Sequence, residues 1–318
     1  MNKLPYTNQA ISCEEQIIRL ARMGLIIPSL DEGVKFLEWN NYYRVKPFFY
    51  LFLDTSNARF KEGVTLNDVM YIYRWDARIR HILFKACHTI EIGLRAQLIH
   101  HGSIHLGNNF YEIETHFRDD VDNFDFPRYL AEVNYLIQQS KEKIGYSEIK
   151  KHFDIYDNTQ NTPAWKVIDL LSFGTLTLLF KYLKKGDAKI QIAQHFGFNK
   201  RNINILENWL ELTADLRNLC AHHYSLYNRT YRYLKLSERP LDYSFIPLTP
   251  SPLTNRLYAH TCAVFNLLDR IEDHSNLKAD FRNQMIALFK KAPTYLTQDQ
   301  VGLIKDWQES SFWNTSSN

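Results

Sequence analysis

From Leu66 to about His101 the chain sets apolar residues at steps of three and four: Ile72, Ile79, Ile82, Leu83, Ala86, Ile90, Leu94 and Leu98. That period lines one face of an α-helix, and no proline interrupts it. About 35 residues at 1.5 Å each make a rod of roughly 50 Å, longer than a small domain is wide. Such a helix has to be the spine on which the other elements pack. Thr65 followed by Asp68 has the form of a capping pair and marks where it begins.

The other segments repeat the helical pattern. Thr162-Pro163 reads as an N-cap followed by proline at the first helical position, opening an apolar helix from Ala164 to about Tyr182. Another runs from about Asn202 to Cys220, with Ile205, Leu206, Trp209, Leu212, Leu216 and Leu219 as its buried stripe. Shorter helices fit Ser12–Met23, Glu32–Trp39, Phe126–Gln139, Asp187–His195, Leu253–Asp273 and Leu277–Lys290. Gly102–Asp125 is polar and irregular and reads as a long loop. Pro240–Pro252 holds four prolines in 13 residues and reads as a semi-rigid connector. The expected class is all-α, a helical bundle with additional N- and C-terminal helices. Its parts would be an N-terminal helical segment (1–64), a core (65–239), the connector (240–252) and a C-terminal segment packed on the core (253–318).

Composition narrows the function. Hydrophobic residues make up 45% and charged ones 23% of 318 residues, which excludes wholesale disorder. A net charge of +3 is too small for a protein that coats nucleic acid, so any contact of that kind is local. Cys13, Cys87, Cys220 and Cys262 are scattered with no Cys-x-x-Cys pair, which argues against a disulfide scaffold or zinc finger and for reduced thiols. There is no signal-like N-terminus, and the most apolar stretch, Leu170–Leu183, is broken by Gly174 and Lys181. The expectation is a soluble cytoplasmic protein with no membrane partner.

Chemistry concentrates at the end of the Asn202–Cys220 helix, in Leu216-Arg217-Asn218-Leu219-Cys220-Ala221-His222-His223. Arginine grips phosphate in a planar fork and histidine moves protons near neutral pH, so Arg217 and His222 form a minimal kit for cutting RNA. An Arg-x4-His spacing also arises by chance, and Arg95 to His100 is a second instance that nothing around it supports. On the long helix His88, Glu91 and Arg95 share a face. It is either a solvated ion-pair stripe or a polar face turned inward, with Glu91 orienting an arginine. His81, His88, His100, His101 and His105 bring no carboxylate at ligand spacing, so neither metal nor other cofactor is expected. From Tyr224 to Lys235, Arg229, Arg232 and Lys235 interleave with Tyr224, Tyr227, Tyr231 and Tyr233. This strip either tracks a phosphate backbone with rings on unpaired bases, or is a half-buried connector. Dinucleotide, phosphate-loop, nucleophile-elbow and His-Glu-x-x-His motifs are absent.

Leu216–His223, followed by Leu226, Asn228 and Arg229, resembles the signature of the Abi family of bacterial abortive-infection proteins, the AbiD/AbiF-like group. Other segments extend the likeness in order: Glu15-Gln16-Ile17, Gly24–Ile27 and Asn41-Tyr42-Tyr43-Arg44; then Asp76, Arg80, Glu91-Ile92 and Leu94-Arg95-Ala96; then Pro163, Trp165 and Ser172–Leu176; finally Gly302, Asp306-Trp307 and Trp313. Asp169 stands where the pattern carries Glu, and Ser225 where it carries Arg. The second change removes a cation beside the site: either substrate grip is weaker, or Arg229 and Arg232 supply it.

The resemblance implies a HEPN-like helical bundle and a metal-independent ribonuclease site, composite across a homodimer. Arg217 and His222 would be the catalytic pair and Asn218 their polar neighbour, with Glu91, Arg95 and His223 in support. His223 could orient His222, stack on a base or end the helix. Tyr227, Asn228, Arg229, Arg232 and Lys235 would hold RNA. The implied activity is an endoribonuclease toxin of antiphage defence, leaving a 2′,3′-cyclic phosphate. The alternative is a non-enzymatic RNA-binding module, or a toxin silenced by a small RNA or protein antitoxin.

Overall fold

The computed structural model describes residues 9–54, 56–118, 124–145, 147–156, 162–236, 254–271, 276–303, 307, 312 and 313. The connector expected at Pro240–Pro252 lies outside them. Three helices, α1 (Cys13–Arg22), α2 (Leu30–Asn40) and α3 (Tyr42–Phe49), lead through a hairpin to the spine, α4 (Leu66–Leu106). In the hairpin, β1 (Leu53–Asp54) pairs antiparallel with β2 (Arg59–Phe60), Leu53 opposite Phe60. Then come α5 (Phe126–Glu142), α6 (Glu148–Ile155), α7 (Ala164–Val167), α8 (Phe173–Tyr182), α9 (Asp187–His195), α10 (Ile203–Ala221), α11 (Leu257–Asp269), α12 (Leu277–Lys290) and α13 (Gln298–Val301). Among the described residues the fold is all-α apart from that hairpin. Among the described residues no helix is long and apolar enough to cross a membrane.

The capping pair is reciprocal. The Thr65 hydroxyl accepts the Asp68 N–H, and the Asp68 carboxylate accepts the Thr65 N–H at 2.8 Å. Helices α8, α9, α10 and α11 surround the spine, which buries Ile79, Leu83, Ala86, Ile90, Leu94 and Leu98 completely. α12 flanks its first turns, where the Trp75 indole N–H donates to the Leu288 carbonyl at 2.9 Å. The N-terminal helices are tied to its start by Ile26, whose N–H donates to Val64 at 3.0 Å and whose carbonyl accepts from Leu66 at 2.9 Å.

Two sequence expectations need correction. The spine does not stop near His101; it continues to Leu106, through Gly102. The ring of buried Phe110, in the turn that follows, occupies the space a Cβ at residue 102 would take. Glycine here serves close packing rather than a loop, and Phe110–Glu112 and Glu114–His116 are short 3-10 turns. The expected helix from Ala164 to Tyr182 is two helices. Pro163 is itself the N-cap of α7, a 3-10 turn follows at Ile168–Leu170, Leu171 is extended, and Ser172 caps α8 by accepting from the Thr175 N–H at 3.1 Å. The Arg95 guanidinium stabilises this break by donating to the carbonyls of Ile168 and, at 3.0 Å, Leu171. Helix α3 was not foreseen, because Pro47 lies inside it.

Candidate functional site

The end of α10 is a Schellman motif with histidine where glycine is usual. His222 is the C-cap, its N–H donating to Asn218 at 2.9 Å. His223 sits at φ +59°, its N–H donating to Cys220 at 3.1 Å, while Tyr224 N–H reaches back to Leu219 at 2.9 Å. Helix termination, one of the three roles open to His223, is visible in its backbone. Both imidazoles are exposed.

Arg217 leaves α10 toward the spine. Its Nη2 and Nε donate to Glu91 Oε2 at 3.0 and 3.3 Å, and its Nη1 donates to Asn218 Oδ1 at 2.9 Å. One N–H on each terminal nitrogen stays free of these bonds, on a side chain that keeps 25% of its surface exposed. The other Glu91 oxygen accepts from Arg95 Nη2 at 3.0 Å. The polar face of α4 is therefore turned inward at Glu91, which is buried and bridges two arginines, while His88 on the same face is exposed. Arg95 spends its donors on Glu91, Ile168 and Leu171, so it supports the scaffold and offers little to a ligand.

A second buried pair positions the loop after the histidines. Asp76 is fully buried, ion-paired with Arg80, and its Oδ1 accepts the N–H groups of Leu226 and Tyr227, both at 2.9 Å. Arg80 also donates to the Tyr224 carbonyl at 3.4 Å. From α3, Arg44 Nη1 donates to the His222 carbonyl at 3.5 Å. No role had been assigned to these three residues from the sequence. The signal for Asp76 and Arg80 was a charge pair at i, i+4 placed among the apolar residues Trp75, Ile79 and Leu83 rather than on a polar face. Partial desolvation, together with Arg44, Arg80, His81 and His222 nearby, holds the His223 imidazole below its ordinary pKa. Burial pushes the Cys220 thiol up to about 12 and the Cys87 thiol well above its usual range, which disfavours the thiolate at both.

The expected RNA-binding strip divides into an inner and an outer side. Tyr227 is buried, stacked on Phe48 with centroids 5.0 Å apart, and its hydroxyl donates to the Pro47 carbonyl. Tyr231 is buried too, bonded to the Leu226 carbonyl at 2.8 Å. Neither ring is open to a base, which corrects the expectation for Tyr227. Arg232 is exposed but paired with Asp215, Nε to Oδ2 at 2.9 Å. Arg229 Nε donates to Ser225 at 3.0 Å, with its guanidinium over the exposed Tyr224 ring at 5.8 Å. Asn228, at φ +49°, donates its N–H to Gln300 at 2.9 Å, and Lys235 is exposed.

The far end of the spine gathers His100, His101, His105 and, from α9, His195, with ring centroids 4.8 to 5.9 Å from that of His101. Among the described residues no group of three or more His, Cys, Asp or Glu has the geometry to hold a metal ion.

The family model described as Abi-like protein matches residues 35–228. The chain belongs to the Abi-like protein family. Neither the curated proteins nor the solved structures give a match. The Abi-like match takes in Arg44, Asp76, Arg80, Glu91, Arg217 and His222 and ends at Asn228, so Arg229, Arg232 and Lys235 lie beyond it.

Proposed function

We propose that this Abi-like chain is an antiphage abortive-infection protein and acts as a metal-independent endoribonuclease toxin, of the HEPN type, in the cytoplasm. The observation that carries the reading is the Arg217 guanidinium, fixed by buried Glu91 and Asn218 at the same helix end as the exposed His222. A fork held in place by a buried carboxylate is a preorganised donor for a phosphate, and needs no rearrangement as charge develops.

The chemistry is transfer of the phosphoryl group within RNA. An imidazole takes the proton of a ribose 2′-hydroxyl, the 2′-oxygen bonds to phosphorus, and the bond to the 5′-oxygen breaks. An imidazolium returns a proton to that oxygen, leaving a 2′,3′-cyclic phosphate and a 5′-hydroxyl. Arg217 stabilises the charge on the non-bridging oxygens. One His222 performs one of the two proton transfers, and a homodimer supplies the second. A protein that sediments as a monomer yet cleaves at a rate linear in its concentration would remove the dimer from this scheme.

The test is cleavage of total and structured RNA in EDTA by the wild type and His222→Ala. Cutting that disappears in the variant supports the reading, and its survival overturns it. A second reading, RNA binding without cleavage or a toxin silenced by a small RNA or protein antitoxin, draws on the ion pair itself, since Glu91 already neutralises much of the Arg217 charge. Arg217→Lys separates the two. It keeps the charge and loses the fork, so cleavage collapses while binding falls only modestly if the site is catalytic.

A further inference from the structure

With Tyr227 and Tyr231 buried, the Tyr224–Lys235 strip keeps Tyr224 and Tyr233 open to a base, and a second set of exposed rings lies on α3. Tyr43, Lys46 and Tyr50 fall at i, i+3 and i+7, one stripe along α3 and the 3-10 turn (Tyr50–Phe52) that prolongs it. Tyr43 and Tyr50 are 69% and 57% exposed. Lys46 Nζ lies between their rings, 5.7 and 5.8 Å from the two centroids. Trp39, on the last turn of α2, is 88% exposed. Large rings left in water in this number mark a contact surface.

Next to the stripe, α3 meets the candidate site at two points. Arg44, the residue after Tyr43, holds the His222 carbonyl, and Pro47, the residue after Lys46, accepts the hydroxyl of Tyr227. A strand whose phosphate sat at His222 would therefore carry its neighbouring nucleotides toward α3. The charge of the helix selects the occupant: α3 has two cations, Arg44 and Lys46, and no carboxylate. Flat rings with cations between them are the surface that single-stranded nucleic acid uses, because every base has a face to stack and every linkage a phosphate to pair.

We propose that Tyr43, Lys46 and Tyr50 form a stacking platform for unpaired nucleotides next to the cleavage site, so that the substrate class is single-stranded RNA or RNA with an unpaired loop. This rests on the reading of Arg217 and His222 as the RNA site. It assigns to an N-terminal helix the recognition that had been expected of Tyr227.

The experiment measures binding in EDTA, on a His222→Ala background, of a fluorescein-labelled unpaired RNA of about ten nucleotides and of a duplex of the same length. The double variant Tyr43→Ala/Tyr50→Ala is expected to weaken the unpaired RNA about tenfold or more and leave the duplex unchanged, while Tyr43→Phe/Tyr50→Phe, which keeps both rings, binds within about twofold of its parent. Unchanged affinity in the alanine variant overturns the proposal, as does an equal loss in the phenylalanine variant. A shift in sedimentation without a loss of RNA affinity overturns it as well, in favour of a second copy on this face. The two inferences fail separately. If the wild type cuts RNA and the alanine variant binds normally, only the platform is lost; if the alanine variant loses binding and the wild type cuts nothing, only the nuclease is lost.

Discussion

Glu91 and Arg217 are 126 residues apart in sequence, yet the guanidinium places two donors on one carboxylate oxygen, at 3.0 and 3.3 Å. The carboxylate is buried and also serves Arg95, so it bridges two guanidinium groups, with exposed Asp169 a second partner of Arg95 at 3.9 Å. Glu91→Gln keeps the shape and removes the charge. Leaving the partly buried Arg217 guanidinium uncompensated, and Arg95 with only the exposed Asp169 carboxylate at 3.9 Å, is expected to cost about 3 kcal/mol. Urea denaturation reads that loss directly. Cleavage should fall by at least about tenfold under conditions where the variant is still folded, because the fork is no longer held.

His223 occupies left-handed backbone, which costs an L-residue about 1 kcal/mol or more. His223→Gly should therefore raise stability, by about 0.5 kcal/mol after glycine's own entropy cost is subtracted. Chemical denaturation checks the sign. A stability that falls instead would mean that the imidazole makes contacts worth more than the strain, and a cleavage rate that survives would leave His223 with helix termination alone.

Gly102→Ala puts helix propensity and packing in opposition. Alanine is the better helix former by about 1 kcal/mol, but its Cβ would overlap the ring of fully buried Phe110. Overpacking of that kind costs about 1 to 3 kcal/mol and should win. A melting temperature above that of the wild type would contradict the close packing of α4 on its following turn.

His260 makes the docking of α11 sensitive to acid. It lies against Tyr231 with centroids 4.7 Å apart, its Nε2–H donating to the Arg232 carbonyl at 3.1 Å, and burial pushes its pKa down to about 4. The ordinary histidine value is near 6.5, so the unfolded chain takes up the proton first as pH falls. This contribution to stability is complete above about 6.5 and is lost as pH drops toward 4, about 3 kcal/mol in all. Stability measured across that window should decline in the wild type and flatten in His260→Gln. A parallel decline in both would locate the acid sensitivity elsewhere.

The helices were legible wherever one apolar face ran on without interruption. α9 and α12 fall on their expected residues, and α10 within one residue at each end. Misreadings came where a distant side chain decides the backbone. Arg95 rewards the break between α7 and α8 with hydrogen bonds that lie 73 and 76 residues away, and Phe110 gives Gly102 a packing role that looks, in sequence, like a turn. The candidate site divides in the same way. Arg217, Asn218, His222 and His223 are one contiguous motif, so local spacing exposes them.

Residue order alone determined a helical protein with a long spine that starts at the Thr65–Asp68 cap, and an Arg-x4-His motif at the end of one of its helices. Tertiary structure decided what that motif is joined to. Only folding brings Glu91 under Arg217, sets Asp76 and Arg80 beneath the loop of Leu226 and Tyr227, turns Tyr227 inward onto Phe48, and brings Arg44 of α3 to His222. The physical reason is the range of the forces. Helix propensity and capping act within a few residues, whereas a buried charge has to find its partner wherever the chain puts one.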